Sequence, residues 1–234
     1  SEPEDPEVLG KLKIPGYSNY LHPYDEDYII GIGKETIESE DKDMAWQQGV
    51  KLALFDVSDV EKPKEIAKVE IGDRGTNSDA LYDHKAFLFS KEKDLLVLPI
   101  SLAEIDEDKY EDEEELERIY GDFVFQGAYV YSLTLEDGFK LRGRITHLED
   151  EEELEKSGYY FYSDRSVGRS LYIEDNLYTF SQNIIKANSL EDLDELATIE
   201  LSSDEEKPEP KPMIDKGTYV DEDTVVVEET EAES

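Results

Sequence analysis

The sequence predicts an all-β protein built from about three four-stranded antiparallel units, because one four-part strand pattern recurs three times. The first copy reads as residues 19–23, 28–33, 50–57 and 65–71. The second reads as 86–90, 95–100, 128–135 and 139–146, and the third as 169–173, 177–181, 184–187 and 195–201. Two further observations agree with this pattern. Each unit starts with a hairpin whose turn is polar: Tyr24-Asp25-Glu26-Asp27, then Lys91-Glu92-Lys93-Asp94, then Glu174-Asp175-Asn176. The chain also carries 15 Tyr and 8 Phe, and aromatic and β-branched residues suit strands better than helices. A four-strand unit repeated at long period is how a β-propeller blade looks in sequence.

The elements follow in order. Residues 1–10 are rich in Pro and acidic groups and read as a disordered lead-in. Residues 11–14 alternate weakly, as a strand shared with a neighbouring blade would. The blades occupy 11–201, as about 17–71, 86–146 and 169–201. Within each blade the turn before the last strand has its own support. Asp56 and Ser58 can bond their own backbone, and Pro63 cannot continue a ladder. Glu136-Asp137-Gly138 and Glu191-Asp192-Leu193 fill that place in the second and third units. Residues 202–234 form an acidic linker or tail with Pro208, Pro210 and Pro212, ending near a short β-prone stub at 225–227.

The insertions sort by position. Residues 34–49 and 101–127 interrupt the connection between second and third strands. Residues 72–85 and 147–168 join the last strand of one unit to the first of the next. In an up-and-down blade both kinds of connection emerge on one face. The expectation is therefore a single loop-rich, acidic face, and loops on a rigid scaffold carry function.

Charge excludes several partners. The 61 acidic residues outnumber 24 basic ones, for a formal net charge of -37. Nucleic acid is disfavoured because every phosphate contact needs Lys or Arg, and anionic membrane surfaces are disfavoured for the same reason. No apolar run reaches the ~20 residues of a spanning helix, so membrane insertion is not expected. The absence of Cys removes disulfides, thiolate metal sites and cysteine nucleophiles together.

Candidate sites fall in four places. Asp83 and His84 precede an innermost strand near the mouth of a central channel, where Arg169 and Asn19 hold the matching places in the other units. They are candidates for binding a small ligand or ion, or for satisfying backbone groups where blades meet. Tyr159, Tyr160 and Tyr162, beside Asp164 and Arg165, are candidates for a partner or sugar surface, against an extra strand packed under the loops. The Asp25-Glu26-Asp27 turn and the acidic runs at 104–117 and 149–155 are candidate calcium ligands, but no metal residue is assigned. Solvated carboxylates are the better reading there. Catalysis finds little support: there are 3 His, no G-x-S-x-G elbow and no phosphate-cradling Gly loop.

Several phrases resemble a known family. They are Tyr20-Leu21-His22-Pro23, Ile29-Ile30-Gly31-Ile32-Gly33, Leu54-Phe55-Asp56-Val57-Ser58-Asp59, Ala80-Leu81-Tyr82-Asp83-His84-Lys85-Ala86-Phe87 and Arg169-Ser170-Leu171-Tyr172-Ile173. In this order they resemble the C-terminal blades of secreted archaeal and bacterial β-propeller proteins, distantly similar to WD-repeat propellers. The resemblance covers residues 11–201. It implies a propeller fold and an extracellular or cell-surface location, and it brings no established activity or catalytic residue. Members are far longer, and closed propellers use ~4–8 blades. The expected companions are therefore the remaining blades of a longer chain, or a self-associating copy.

The expected function is a non-catalytic binding or scaffold module for a protein or glycan ligand, with calcium as a companion. The alternatives are a carboxylate-dependent hydrolase acting on carbohydrate or peptide, and a structural component of a surface assembly.

Overall fold

Six successive buried residues, 95–100, form the centre of the protein. They belong to strand β6 (Leu95–Glu104), and their alternating side chains serve two different interfaces. Leu96, Leu98, Ile100 and Leu102 pack into one apolar cluster, while Leu95 and Val97 pack into another. A strand covered on both faces reads as a continuous apolar run, and this one sits in a blade with a neighbour on each side.

The computed structural model describes residues 4, 6–38, 44–110, 116–150, 152–155 and 160–201. Twelve strands form three sheets, each a four-stranded antiparallel meander. Blade 1 is β1 (Tyr17–Pro23), β2 (Tyr28–Glu38), β3 (Ala45–Asp56) and β4 (Lys64–Ile71). Blade 2 is β5 (Leu88–Ser90), β6, β7 (Asp122–Thr134) and β8 (Gly138–Ile145). Blade 3 is β9 (Arg169–Ile173), β10 (Asn176–Phe180), β11 (Ile184–Ser189) and β12 (Glu195–Glu200). Every strand expected from the repeat is present, with two instructive departures.

The first departure concerns the hairpins. β2 and β3 stay paired as far as Glu38 and Ala45, and β6 and β7 as far as Glu104 and Asp122. Much of what reads as insertion is thus extended ladder. The second departure is β5, which begins at Leu88 rather than at Ala86. A 3-10 turn, His84–Ala86, takes the missing length. Pro99 explains the truncation: the last β5–β6 pair is Leu88 with Val97, and beyond it Pro99 has no N–H to offer a longer partner. Ser78 Oγ donates to the Pro99 carbonyl there, at 2.6 Å.

Residues 11–14 form no strand. Instead the segment before β1 runs along the outer face of blade 1, where the buried Lys51 Nζ donates to the Pro15 carbonyl at 2.9 Å. Lys51 also bridges Glu35 and Glu65, each at 3.1 Å. An ion cluster holds this face where a sheet partner was expected.

The two joints between blades differ. Blades 1 and 2 meet through Ile30, Ile32, Leu52, Leu54, Leu98 and Tyr129, all within one large buried cluster. Blades 2 and 3 meet through a smaller one around Val97, Val130, Val167 and Leu177. Polar groups make up the rest of that second joint. The Gln126 amide closes two bonds with the Val167 backbone, at 2.9 and 2.8 Å. His147, 2% exposed, bonds Thr179 Oγ1 through Nε2 at 2.8 Å. No helix among the described residues is long and apolar enough to cross a membrane.

Candidate binding pocket on the loop face

Backbone geometry at two glycines shapes the loop side. Gly72 and Gly75 have φ of 62° and 115°, a region open to Gly and rarely to other residues, so the chain leaving β4 turns sharply on either side of Arg74. The turn brings Arg74 against the β2–β3 hairpin of its own blade and the β6–β7 connection of the next. Its guanidinium lies 4.5 Å from the Tyr120 ring centroid and 5.2 Å from that of Trp46. Nη1 donates to the Gln47 carbonyl at 3.2 Å and Nη2 to the Tyr120 hydroxyl at 3.3 Å. Cation–π contacts of this kind are worth ~0.5–2 kcal/mol each.

Beside this stack opens a pocket of about 680 Å³. Its walls include Lys34, Trp46, Arg74, Tyr82, Tyr120 and Tyr160, so each of the four long connections or its flanking strand contributes. The single-face placement of those connections, inferred from strand count, therefore has a direct structural counterpart. Tyr82 and Tyr160 are 76% and 88% exposed at the rim. Lys34 is the opposite case, 9% exposed, with Nζ donating to the Thr76 carbonyl. Burial pulls its pKa down from 10.5 to about 8. Two donors in the walls, Arg74 Nε and Trp46 Nε1, are buried without a hydrogen-bond partner among the described residues. Among the described residues, the lining contains no Asp, Glu or His.

A repeated dipeptide positions these walls, and it was visible in the sequence. Gln48-Gly49 and Gln126-Gly127 stand at equivalent points of β3 and β7. Each Gly lets the neighbouring strand end approach closely, since a Cβ would overlap the carbonyl of Gly72 or of Ile145. Each Gln then grips a later long connection, Gln48 through the Glu117 carbonyl at 3.0 Å and Gln126 through Val167. The remaining signal was the chain's single Trp placed within an insertion. Arg74 and Tyr120 carried none, because their meeting depends on the fold.

The residues expected at a channel mouth are brought together only in part. Asp83 and Arg169 form an ion pair at 2.6 Å that ties blade 2 to blade 3. Asp83 Oδ1 also accepts from the Lys85 N–H, so the carboxylate caps the 3-10 turn. These bonds and Arg169 hold Asp83 below the usual carboxylate range. His84 is exposed, with its ring 6.3 Å from that of Tyr20. Asn19 is the exposed bulge residue of β1, and among the described residues no hydrogen bond joins it to the other three. Asp79 behaves differently from Asp83. Its carboxyl is held above its ordinary range, by lost hydration first and by the Asp83 charge second, although its side chain remains partly open to solvent.

Tyr159 lies outside the described residues. Tyr160 and Tyr162 are exposed and belong to no strand. The Tyr162 hydroxyl donates to Asp164 at 3.2 Å and accepts from Gln182 at 2.7 Å. The Asp25 turn has structural work: Oδ1 accepts from the Asp27 and Tyr28 N–H groups, and Oδ2 pairs with Lys91 of blade 2 at 2.7 Å. The acidic runs fall partly outside the described residues, at 111–115 and 151. Among the described residues, no group of three or more His, Asp or Glu is arranged to hold a metal ion.

Antiparallel four-strand meanders packed face to face, with their long connections gathered around one pocket, define a propeller-type repeat protein. The chain belongs to the family described as "Beta propeller domain", whose model matches residues 1–193. It is similar to an uncharacterized protein of Archaeoglobus fulgidus, 38% identical over 99 residues, which are 42% of this chain and 14% of that protein. It is also similar to an uncharacterized protein of Methanocaldococcus jannaschii, 34% identical over 179 residues, or 76% of this chain and 20% of that protein. The matches therefore span 14% and 20% of the length of these curated relatives.

Proposed function

We propose that this chain is a non-catalytic binding module, acting outside the cell or at its surface, whose ligand sits in the loop-face pocket between blades 1 and 2. The observation that carries the reading is the pocket itself. It is concave, about 680 Å³, and built from aromatic and amide groups on a rigid β scaffold. Ligand sites of ~300–1,000 Å³ with a few convergent polar groups are the usual form for small molecules and anchoring side chains. A β-propeller domain fits a binding role in general, and the family resemblance supports the extracellular placement.

The hydrolase alternative needs an acid in a space that admits substrate. Asp79 is the described carboxylate held above its ordinary range. It borders a space of about 30 Å³, enough for about one water molecule. A glycan or peptide does not fit there, and the larger pocket has no carboxylate in its described lining.

The partner proposal concerns the outer face of blade 3. Leu171, Ile173 and Ile199 are exposed there, on the side away from blade 2 by strand alternation. Such a face suits a further blade, from a longer chain or from a second copy.

Screening immobilised glycans and peptides with the wild type and Trp46→Ala tests the function. The reading expects a ligand retained by the wild type and lost by the variant. Retention unchanged by Trp46→Ala, or turnover of a bound substrate that Asp79→Asn abolishes, would overturn it.

A further inference from the structure

The charge of the pocket is opposite to that of the protein around it. In a chain of net charge -37, the described lining has two cationic groups, Lys34 and Arg74, and no carboxylate. Neither cation forms an ion pair with a carboxylate among the described residues. Lys34 is buried with a backbone carbonyl as its partner, a costly arrangement for an ammonium unless an anion comes to share the space. The Arg74 guanidinium lies against the rings of both Trp46 and Tyr120, which restricts its rotation. It spends one contact on Gln47 and one on Tyr120. Of the five N–H groups of a guanidinium, Nε–H is buried and unpartnered. The indole Nε1–H of Trp46 is in the same condition. Two cations without a carboxylate partner at one place complement an oxyanion, and a planar guanidinium matches a carboxylate most closely.

Anion recognition alone does not use the rest of the walls. Tyr82 and Tyr160 are strongly exposed aromatic residues of the lining, and Gln47 and Asn77 bring side-chain amides to the same walls. Flat apolar faces beside amides suit a ring that is apolar on its face and hydroxylated at its edge. A peptide anchor would want a closed apolar hole, whereas this space is broad and its described apolar lining is largely aromatic.

We propose that the pocket between blades 1 and 2 binds an acidic saccharide, with the carboxylate of a uronic acid against Arg74 and Lys34 and the sugar ring against the rim tyrosines. The proposal rests on the reading that this pocket is the binding site, and it adds the ligand class. The field of the acidic protein opposes such a ligand at long range. Local contacts must therefore supply the affinity, and neutralising Arg74 should weaken binding more than any substitution of an exposed Lys elsewhere.

Calorimetric titration with trigalacturonate, with the neutral galactose trimer and with an acidic peptide separates the outcomes. Trigalacturonate is expected to bind saturably, roughly tenfold or more tighter than the neutral trimer, and Arg74→Met should remove that preference. Tyr160→Ala, at an exposed rim position that folding does not need, should weaken trigalacturonate binding by several-fold. An Arg74→Met protein with a lowered melting temperature would be replaced by Lys34→Gln, for which the same loss of preference is expected. Equal binding of charged and neutral trimers, or preference for the peptide, overturns the saccharide class while leaving the pocket as a binding site. Failure of all three ligands overturns the saccharide class as well. If the immobilised panel also shows no Trp46-dependent ligand, the binding-site reading falls with it.

Discussion

The two joints between blades are built on different principles. Among the described residues, eighteen buried apolar side chains form the cluster at blades 1 and 2, and eight form the cluster at blades 2 and 3. The second joint makes up the difference with directed polar contacts: Gln126 to Val167, His147 to Thr179, Arg142 to the Leu190 carbonyl and Lys186 to the Thr146 carbonyl. Apolar burial is non-directional and insensitive to pH, whereas a buried polar network holds only while each partner keeps its protonation state. The pocket sits over the apolar joint. Its walls therefore rest on the part of the molecule least disturbed by conditions, and blade 3 is the part expected to open first.

The largest test of this contrast is Leu98→Ala at the apolar joint. Removing a fully buried Leu costs about 2–5 kcal/mol, read as a shift of the denaturation midpoint. Loss confined to blade 3 would break the comparison. Acidification acts on the other joint. The His147 pKa is lowered from 6.5 to about 4, by burial first and then by the charges of Lys186 and Arg165, against Glu195. Because the unfolded chain binds the proton more readily, stability from this group is complete above about pH 6.5. It is lost as pH falls towards about 4, on the order of 3 kcal/mol in all. Hydrogen exchange should show blade 3 losing protection first, and His147→Gln should flatten that pH dependence. An unchanged slope in the variant would assign the acid response to carboxylates instead.

Gln126→Ala leaves the Val167 N–H and carbonyl unpaired and should cost about 1–3 kcal/mol, with faster exchange in blade 3 and unchanged exchange in blade 1. Asp83→Asn breaks an exposed ion pair and should cost less than ~1 kcal/mol in thermal melts. A larger loss would mean that the inner-edge clasp holds the blades more than either core does.

The strands were legible because their turns were. Asp25 and Asp56 bond the backbone as their positions suggest, and the unbroken apolar run at 95–100 is what a strand covered on both faces requires. Asp83 and Arg169 hold matching positions in successive repeats, but only the fold shows that they pair with each other. The pocket was not legible. Trp46, Arg74, Tyr120 and Tyr160 come from four segments far apart in sequence, and no periodicity links them. The same holds for Lys34, which looks like any surface Lys until the Thr76 connection folds over it. Acidic runs drew attention because they are dense, yet the described pocket lining is cationic and aromatic.

The most direct test of the account uses the single Trp of the chain as its own reporter. The indole N–H resonance of Trp46 would be followed while each ligand retained by the wild type is titrated in. The account predicts a saturable shift of that resonance with every true ligand, at the same concentrations that shift backbone signals of 45–48 and 74–77. Binding that leaves the Trp46 indole unmoved and instead perturbs blade 3 or the Asp83–Arg169 clasp would contradict it.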